Sequence, residues 1–450
     1  MKKIFLMSLK FSLSLFFATN SFALTVKESA EAALKNNRQI LEGKEESITA
    51  SEKVNESLGA FLPDISYQYQ RQFVAPYVGT KQNILGFSSP YTLPNNASRS
   101  DSLVLNQNLF SGGASAAAYK KASKAEKASE KNLENTIQSQ IFSAIATHLQ
   151  IIAAKEKIAA FEEDIRYLED MLKAEKEKFD AGITARTNLA QTERSLLNGR
   201  SRLNQAKGQL FTLEKNYETS IGFKPNDLKE STLAPEKLLN LKIKIDKGQL
   251  LAQTNNPAIE ASKFAYDASA YDTMSGVSAF SPRVDLQLKA NRSFDNPGVS
   301  NSNDSRSALL NITVPIFSGG QTLSRYKQLR SQESSARIRY LNTKVSVQAS
   351  ANDSFFSFLN QQEAYQASRE SVDAGKVVLD GTLQEYEEGV NSLVEVLRAR
   401  NGLTSEKINY ADQKSSLILA YYQMLLATGK ISIDNIESDK VENEFITKSN

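Results

Sequence analysis

The sequence repeats itself. Leu109-Phe110-Ser111-Gly112-Gly113 returns 207 residues later as Ile316-Phe317-Ser318-Gly319-Gly320, and at the same offset Phe179-Asp180-Ala181-Gly182 matches Tyr386-Glu387-Glu388-Gly389. Upstream the offset becomes 219: Asn37 and Ile40 match Asn256 and Ile259, and Ala60-Phe61-Leu62-Pro63 matches Ala279-Phe280-Ser281-Pro282. The halves are colinear, with twelve extra residues in the first between Pro63 and Phe110. Several blocks at a constant offset fix a duplicated architecture before any single residue is interpreted. The repeats are placed at 24–222 and 236–430, with a linker over 223–235 and a polar tail over 431–450 expected to be disordered.

Residues 1–23 read as an export signal. Lys2 and Lys3 precede an apolar run over 4–17, and Ser21-Phe22-Ala23 supplies the small residues of a cleavage site. Without Lys2, Lys3 and Lys10 the formal charge of +3 falls to zero (+3 − 3 = 0), so no nucleic-acid partner is implied. The absence of Cys excludes disulfides, thiolate sites and a lipid-modified N-terminal Cys, and a single His excludes a His-pair metal site. No other stretch has the roughly 20 apolar residues of a spanning helix, so any membrane insertion must use β-strands.

Each repeat reads as short helix, strand, strand, long helix, short helix. None of the ten Pro falls in 95–224 or 316–450, and those deserts are rich in Ala, Lys, Glu, Leu, Gln and Ser. Leu189, Leu196, Leu203, Leu210 and Tyr217 recur every seven residues, as do Val396, Leu403, Tyr410, Leu417 and Met424. Phe161, Ile165, Leu168 and Leu172 follow 4-3-4 spacing, and Ile137, Ile141, Ile145 and Leu149 spacing four. Such stripes pack helices side by side, and alone they would suit a generic coiled coil or bundle.

The strands add a second constraint. Ile65, Tyr67, Tyr69 and Phe73 alternate with polar residues, as do Leu103, Leu105 and Leu109, Val284, Leu286 and Leu288, and Ala308 to Ile316. Period-two segments of about ten residues suit membrane barrel strands. A soluble half-buried sheet would alternate in the same way. Four strands cannot close a barrel, whose smallest membrane forms have about eight, whereas three chains would supply twelve. The intervening loops, 74–102 and 293–305, are polar with Pro, Gly and Asn. Long helices over about 114–179 would reach roughly 100 Å, and short helices over about 26–59 and 184–221 roughly 50 and 55 Å, so two short ones stack to one long one. Three chains then give twelve helical columns under twelve strands.

With these residues in view, the sequence resembles the TolC-type outer-membrane efflux proteins over about 24–431. The resemblance rests on Phe-Ser-Gly-Gly before each long helix (Phe110 to Gly113, Phe317 to Gly320), on an aromatic shortly before a tip Gly (Phe179 and Gly182, Tyr386 and Gly389) and on the duplication itself. It implies a mixed α and membrane-β fold: a homotrimer with a 12-stranded β-barrel continued by a long α-helical periplasmic barrel. It further implies an outer-membrane exit channel of a tripartite efflux pump or type I secretion system. The partners would be a periplasmic adaptor, an inner-membrane transporter and outer-membrane lipid. No cofactor and no enzymatic chemistry are expected. Gly112-Gly113 lacks the Gly-Lys-Ser/Thr of a phosphate loop, and His148 lies among Ile145, Leu149 and Ile152 as a packing residue. The alternative is a non-channel periplasmic coiled-coil adaptor or structural protein, against which the doubled strand–strand–long-helix pattern argues.

The resemblance assigns the pore constriction to Glu395, Arg398 and Asn188, and the gate network to Tyr386, Asn391 and Thr187. Glu395 matches an acidic ring position, but Arg398 stands at the second one. Asn188 replaces an acid, and Asn391 an Arg, of the closing network. A hydrogen-bonded and not ionic gate is therefore expected, although Glu395 could also be an ordinary solvated helix charge. Gly182 and Gly389 are assigned to adaptor contact, where small residues permit close helix approach; the same glycines also suit a turn needing positive φ.

Overall fold

The computed structural model describes residues 24–74, 78–82, 88–92, 96–225, 227–295, 301–436 and 446–448. The expected signal segment, 1–23, lies outside them. The chain runs α1 (Val26–Asn36), α2 (Arg38–Gly59), β1 (Asp64–Val74), β2 (Val78–Gln82), β3 (Ser88–Thr92), β4 (Asn96–Phe110), α3 (Ala114–Asp180) and α4 (Arg186–Ile221). It continues through α5 (Pro235–Leu239), β5 (Leu241–Ile243), α6 (Ile245–Asn255), α7 (Pro257–Ser278), β6 (Arg283–Asp295), β7 (Asn301–Thr313), α8 (Gln321–Glu387), α9 (Leu393–Ala427) and β8 (Ile446–Lys448).

The long helices α3 and α8 each have 67 residues, about 100 Å at 1.5 Å per residue. The short helix expected over 26–59 is broken at Asn37. Its backbone turns extended (ψ 125°), and its side-chain oxygen accepts from Gln39 N at 2.9 Å. Its amide donates to Ser220 O at 2.9 Å, tying the break to the end of α4. Asn256 repeats the device between α6 and α7, accepting from Ala258 N at 3.0 Å and donating to Ala427 O at 3.2 Å at the end of α9. An Asn N-cap supplies the acceptor that the first turn's N–H groups lack.

The sheet order is β1-β4-β6-β7, antiparallel throughout, with β1 and β7 at the edges. The register puts the apolar residues in common rows. Ile65 faces Leu105, Leu105 faces Leu288 and Leu288 faces Ala308, while Leu286 faces Leu310 and Val284 faces Ile312. This apolar face lies open, with Ile65, Leu310 and Ile312 each more than half exposed, and much of the polar face, including Gln68, Gln70 and Gln287, is exposed as well. A water-soluble sheet buries its apolar face.

The strands exceed the sequence expectation. β4 starts at Asn96 and β7 at Asn301, inside segments expected to be loops, and β2 and β3 form a hairpin within the longer of these. Ser- and Asn-rich stretches carry little strand preference of their own, and ladder partners supply it. Among the described residues the hairpin has no counterpart in the second repeat, and it lies where the twelve extra residues do. At its other end β7 stops at Thr313, short of the expected Ile316; Pro315 has no N–H for a ladder.

All four passages between sheet and helices lie at one end of the sheet, so every helix projects to the same side. The α3 helix packs against α2 and α4 on one flank and against α7 and α9 on the other, and α8 closes the series against α7 and α9. Salt bridges lace the seams. Lys121, Lys124 and Lys131 of α3 reach Asp272, Asp267 and Glu260 of α7 at 2.8–3.1 Å. Lys407 and Lys414 of α9 reach Glu163 and Glu156 of α3 at 2.7 Å.

The main core lies at mid-height, where α1, α3, α4, α6, α8 and α9 meet the chain between the repeats. The heptad residues Tyr217, Leu417 and Met424 are fully buried there, and Val396 and Leu403 sit in a second cluster nearer the helix tips. His148 is buried too. Its Nε2 meets the Lys229 carbonyl at 2.9 Å and must donate, so neutral Nδ1 accepts from the Ser29 hydroxyl at 2.8 Å. Within the tail expected to be disordered, Ile431 and Ile436 are buried, and Ile446–Lys448 pairs antiparallel with Leu241–Ile243.

Candidate functional site: the helical tips

Two helix hairpins form the end of the molecule farthest from the sheet, and each turns on one glycine. At the end of α3, Gly182 takes φ 73° and Ile183 N donates back to Lys178 O at 2.8 Å. At the end of α8, Gly389 takes φ 77° and Val390 N donates to Glu385 O at 2.8 Å. This six-to-one bond with a left-handed residue is a Schellman ending, which leaves the next side chain outside the helix. Ile183 and Val390, related by the 207-residue offset, are accordingly 76% and 77% exposed.

Between the hairpins lies a buried carboxylate. Glu175 of α3 is fully buried and accepts from the Tyr386 hydroxyl at 2.7 Å, the Thr184 hydroxyl at 3.1 Å and the Lys178 ammonium at 3.2 Å. Lys178 also lies over the Tyr386 ring, 4.8 Å from its centroid. Burial and the Glu175 carboxylate raise the Tyr386 phenol above its ordinary value. Burial opposes the Lys178 charge, but Glu175 and Tyr386 outweigh it and its pKa is raised. One carboxylate thus joins the first hairpin to the end of α8.

The residues assigned to this region from sequence divide into those inside the cluster and those outside. Tyr386 is inside. Asn188 is one bond further out, donating to Thr184 Oγ1 at 3.0 Å. Thr187 is exposed on the first turn of α4. Asn391 lies on the other hairpin, donating to Glu385 Oε2 at 3.0 Å and accepting from Ser392 N at 2.9 Å. Glu395 and Arg398 pair with each other within one protomer, at 2.5 and 2.7 Å, on the exposed side of α9. Beside Tyr386 and Asn188 stands an ion pair, Glu175 with Lys178, both supplied by α3.

Sequence reasoning missed Glu175, yet a signal for it existed. It continues the stripe Ile165, Leu168 and Leu172 by the next step of three, so a charged residue stands at an inward position. It also missed a buried pair higher up. Arg400 Nε donates to Asp164 Oδ1 at 2.9 Å, Thr404 donates to the same oxygen at 3.0 Å, and the guanidinium lies 4.5 Å from the Tyr167 ring centroid. This pair locks α9 to α3.

A family model described as outer membrane efflux protein matches the chain over residues 30–222 and 250–430. The chain belongs to the outer membrane efflux protein family. It is an outer-membrane exit channel with a large periplasmic helical part. Outer membrane efflux protein BepC of Brucella suis is 25% identical over 336 residues, covering 74% of this chain and 73% of BepC. Alkaline protease secretion protein AprF of Pseudomonas aeruginosa is 20% identical over 436 residues, covering 93% and 87%. The crystal structure of the Campylobacter jejuni CmeC outer membrane channel superposes with a TM-score of 0.76 at 19% identity, over 92% of this chain and 88% of CmeC. In this efflux protein no helix among the described residues is long and apolar enough to cross a membrane.

Proposed function

We propose that three copies of this chain pool their strands into one 12-stranded barrel and their helices into a twelve-column tunnel. Together they form a duct from an inner-membrane transporter, through a periplasmic adaptor, to the exterior. One observation carries the reading: the sheet exposes an apolar face while β1 and β7 have no strand beyond them among the described residues. An open edge in lipid costs several kcal/mol per unpaired backbone group, and pairing β7 of one protomer with β1 of the next removes it. The helical flanks agree. Beyond α8 on one side, Ile338, Leu341 and Val345 stand exposed, and beyond α2 and α4 on the other, Ile48, Leu197 and Phe211.

The tunnel is closed at the tips by the Glu175 cluster, which holds α8 against α3, and is lined at its narrowest by Glu395, Arg398 and Asn188. Because Glu395 and Arg398 pair within a protomer, that ring has little net charge. The adaptor seats at the hairpin turns. A side chain at Gly182 or Gly389 would meet open space but would be strained by the positive φ. Ile183 and Val390 are therefore the residues through which to test docking.

BepC is named for efflux and AprF for protease secretion, and a duct with no substrate-specific chemistry serves either, the transporter selecting the cargo. The test is extraction of the mature protein from outer membranes, its mass in detergent and its conductance in a planar bilayer. A conducting trimer is expected. A water-soluble monomer, or strand hairpins reachable only from the periplasm in intact cells, would overturn the reading.

A further inference from the structure

Four arginines collect at the end of the sheet remote from the helices, all on one face. Asp101 faces Tyr69 and Arg292, and Arg292 faces Asp304. One row outward Arg99 faces Arg71 and Phe294, and one row inward Ala290 faces Arg306. Opposed residues share a face and neighbours along a strand alternate, so these arginines stand on the apolar face with Leu105, Leu288 and Leu310. The other face in the same rows is uncharged, with Gln68, Gln70, Ser100, Ser102, Asn291 and Ser293. Four Arg against Asp101 and Asp304 leave a formal +2 per protomer (4 − 2 = 2) on the apolar side alone.

Two of the guanidinium groups are held ready. Arg99 donates through Nε and Nη2 to Asp101 at 3.1 and 2.8 Å and lies 5.4 and 5.2 Å from the ring centroids of Tyr69 and Phe294. Arg292 donates through Nε and Nη2 to Asp304 at 2.8 and 2.7 Å. These bonds leave the Nη1 donors of each outside the pair, on side chains 51% and 58% exposed. Height fixes what they meet. From Phe110 to Asp101 the strand climbs nine residues, about 30 Å along a strand at ~3.4 Å per residue and about 23 Å upright at a tilt of ~40°. The apolar band of a membrane barrel is about 25 Å tall, so the arginine rows stand at its outer boundary.

We propose that this belt binds the phosphate groups of outer-leaflet lipid, the rows of aromatic and apolar residues below it lying along the acyl chains. The proposal deepens the barrel reading and rests on it. Arginine forks match phosphate oxygens, and at the lipid headgroup level a cation meets anionic headgroups. The test uses the purified full-length mature protein in detergent and native mass spectrometry. The probes are lipid A, its dephosphorylated form, and inorganic phosphate as competitor. Lipid A is expected to remain bound, the dephosphorylated form to bind at least tenfold more weakly, and inorganic phosphate not to displace it. R71Q/R306Q, which leaves the Arg99–Asp101 and Arg292–Asp304 pairs in place, should lower lipid A affinity about thirtyfold, or about 2 kcal/mol at about 1 kcal/mol per arginine. Trimers that bind both lipid forms equally, displacement by inorganic phosphate, or an unchanged R71Q/R306Q affinity would overturn the belt and leave the channel standing. A protein that gives no detergent-stable trimer would overturn both.

Discussion

Glu175→Gln should loosen the tip. The carboxylate is fully buried and accepts from Tyr386, Thr184 and Lys178 at 2.7, 3.1 and 3.2 Å. Hydrogen bonds to a charged group are worth about 1.5–3 kcal/mol each. The Lys178 side chain is 42% exposed, so its contribution is screened and set aside. The Tyr386 and Thr184 bonds remain, about 3–6 kcal/mol together. Glutamine keeps one acceptor and the shape, so roughly half is lost, about 1.5–3 kcal/mol per protomer. At 1.4 kcal/mol per factor of ten, the closed-to-open ratio of each hairpin falls about tenfold to a hundredfold. Single-channel recording in a planar bilayer should show a higher open probability, and Tyr386→Phe should reproduce part of it. The double variant should fall short of the sum, because both changes remove the same bond. Unchanged conductance in Glu175→Gln and in Tyr386→Phe would refute the assignment of this cluster to closure.

Glu395→Gln frees three Arg398 guanidinium groups at the tunnel mouth and should shift ion preference toward anions; unchanged reversal potentials in a salt gradient would remove Glu395 from the pore. Ile183→Asp with Val390→Asp should abolish export while leaving the trimer intact, as read by cargo secretion and by mass in detergent. Arg400→Met leaves Asp164 buried without its cation, and thermal or denaturant unfolding should show a loss of about 3–5 kcal/mol. Burial, with Lys155 adding to it, lowers the His148 pKa despite the Lys229 carbonyl. A His whose folded pKa lies below its unfolded value of about 6.5 stabilises fully above that pH and loses the contribution as pH falls. The melting temperature should drop between about pH 7 and pH 5.5, and His148→Gln should flatten that slope.

Periodicity carried most of the fold. The proline deserts and apolar stripes placed α3 over about 114–179, against Ala114–Asp180 in the structure, and a second long helix within 316–450, where α8 lies, because long helices declare themselves by local spacing. The strands were legible where apolar residues alternate and illegible where Ser, Asn and Asp occupy both faces, as at the start of β4, because there the partners and not the residues decide. At the tips, the resemblance led to Tyr386 and Asn188 but looked for charge at positions 188 and 391, where this chain has Asn. The charge sits at Glu175 and Lys178, on the inward side of α3, and only a carboxylate in step with Ile165, Leu168 and Leu172 betrayed it. Asn37 was visible as half of a repeated pair, but its capping role needed the end of α4 brought beside it.

Sharing of strands between chains can be read from the edges themselves. The chain has no Cys, so cysteines introduced pairwise along β1 and β7 are the only thiols. Oxidation in intact outer membranes should convert one register of such pairs into covalent trimers on a denaturing gel. If every register across both strands yields only monomers, β1 and β7 do not meet across protomers, and a barrel assembled from three chains is excluded.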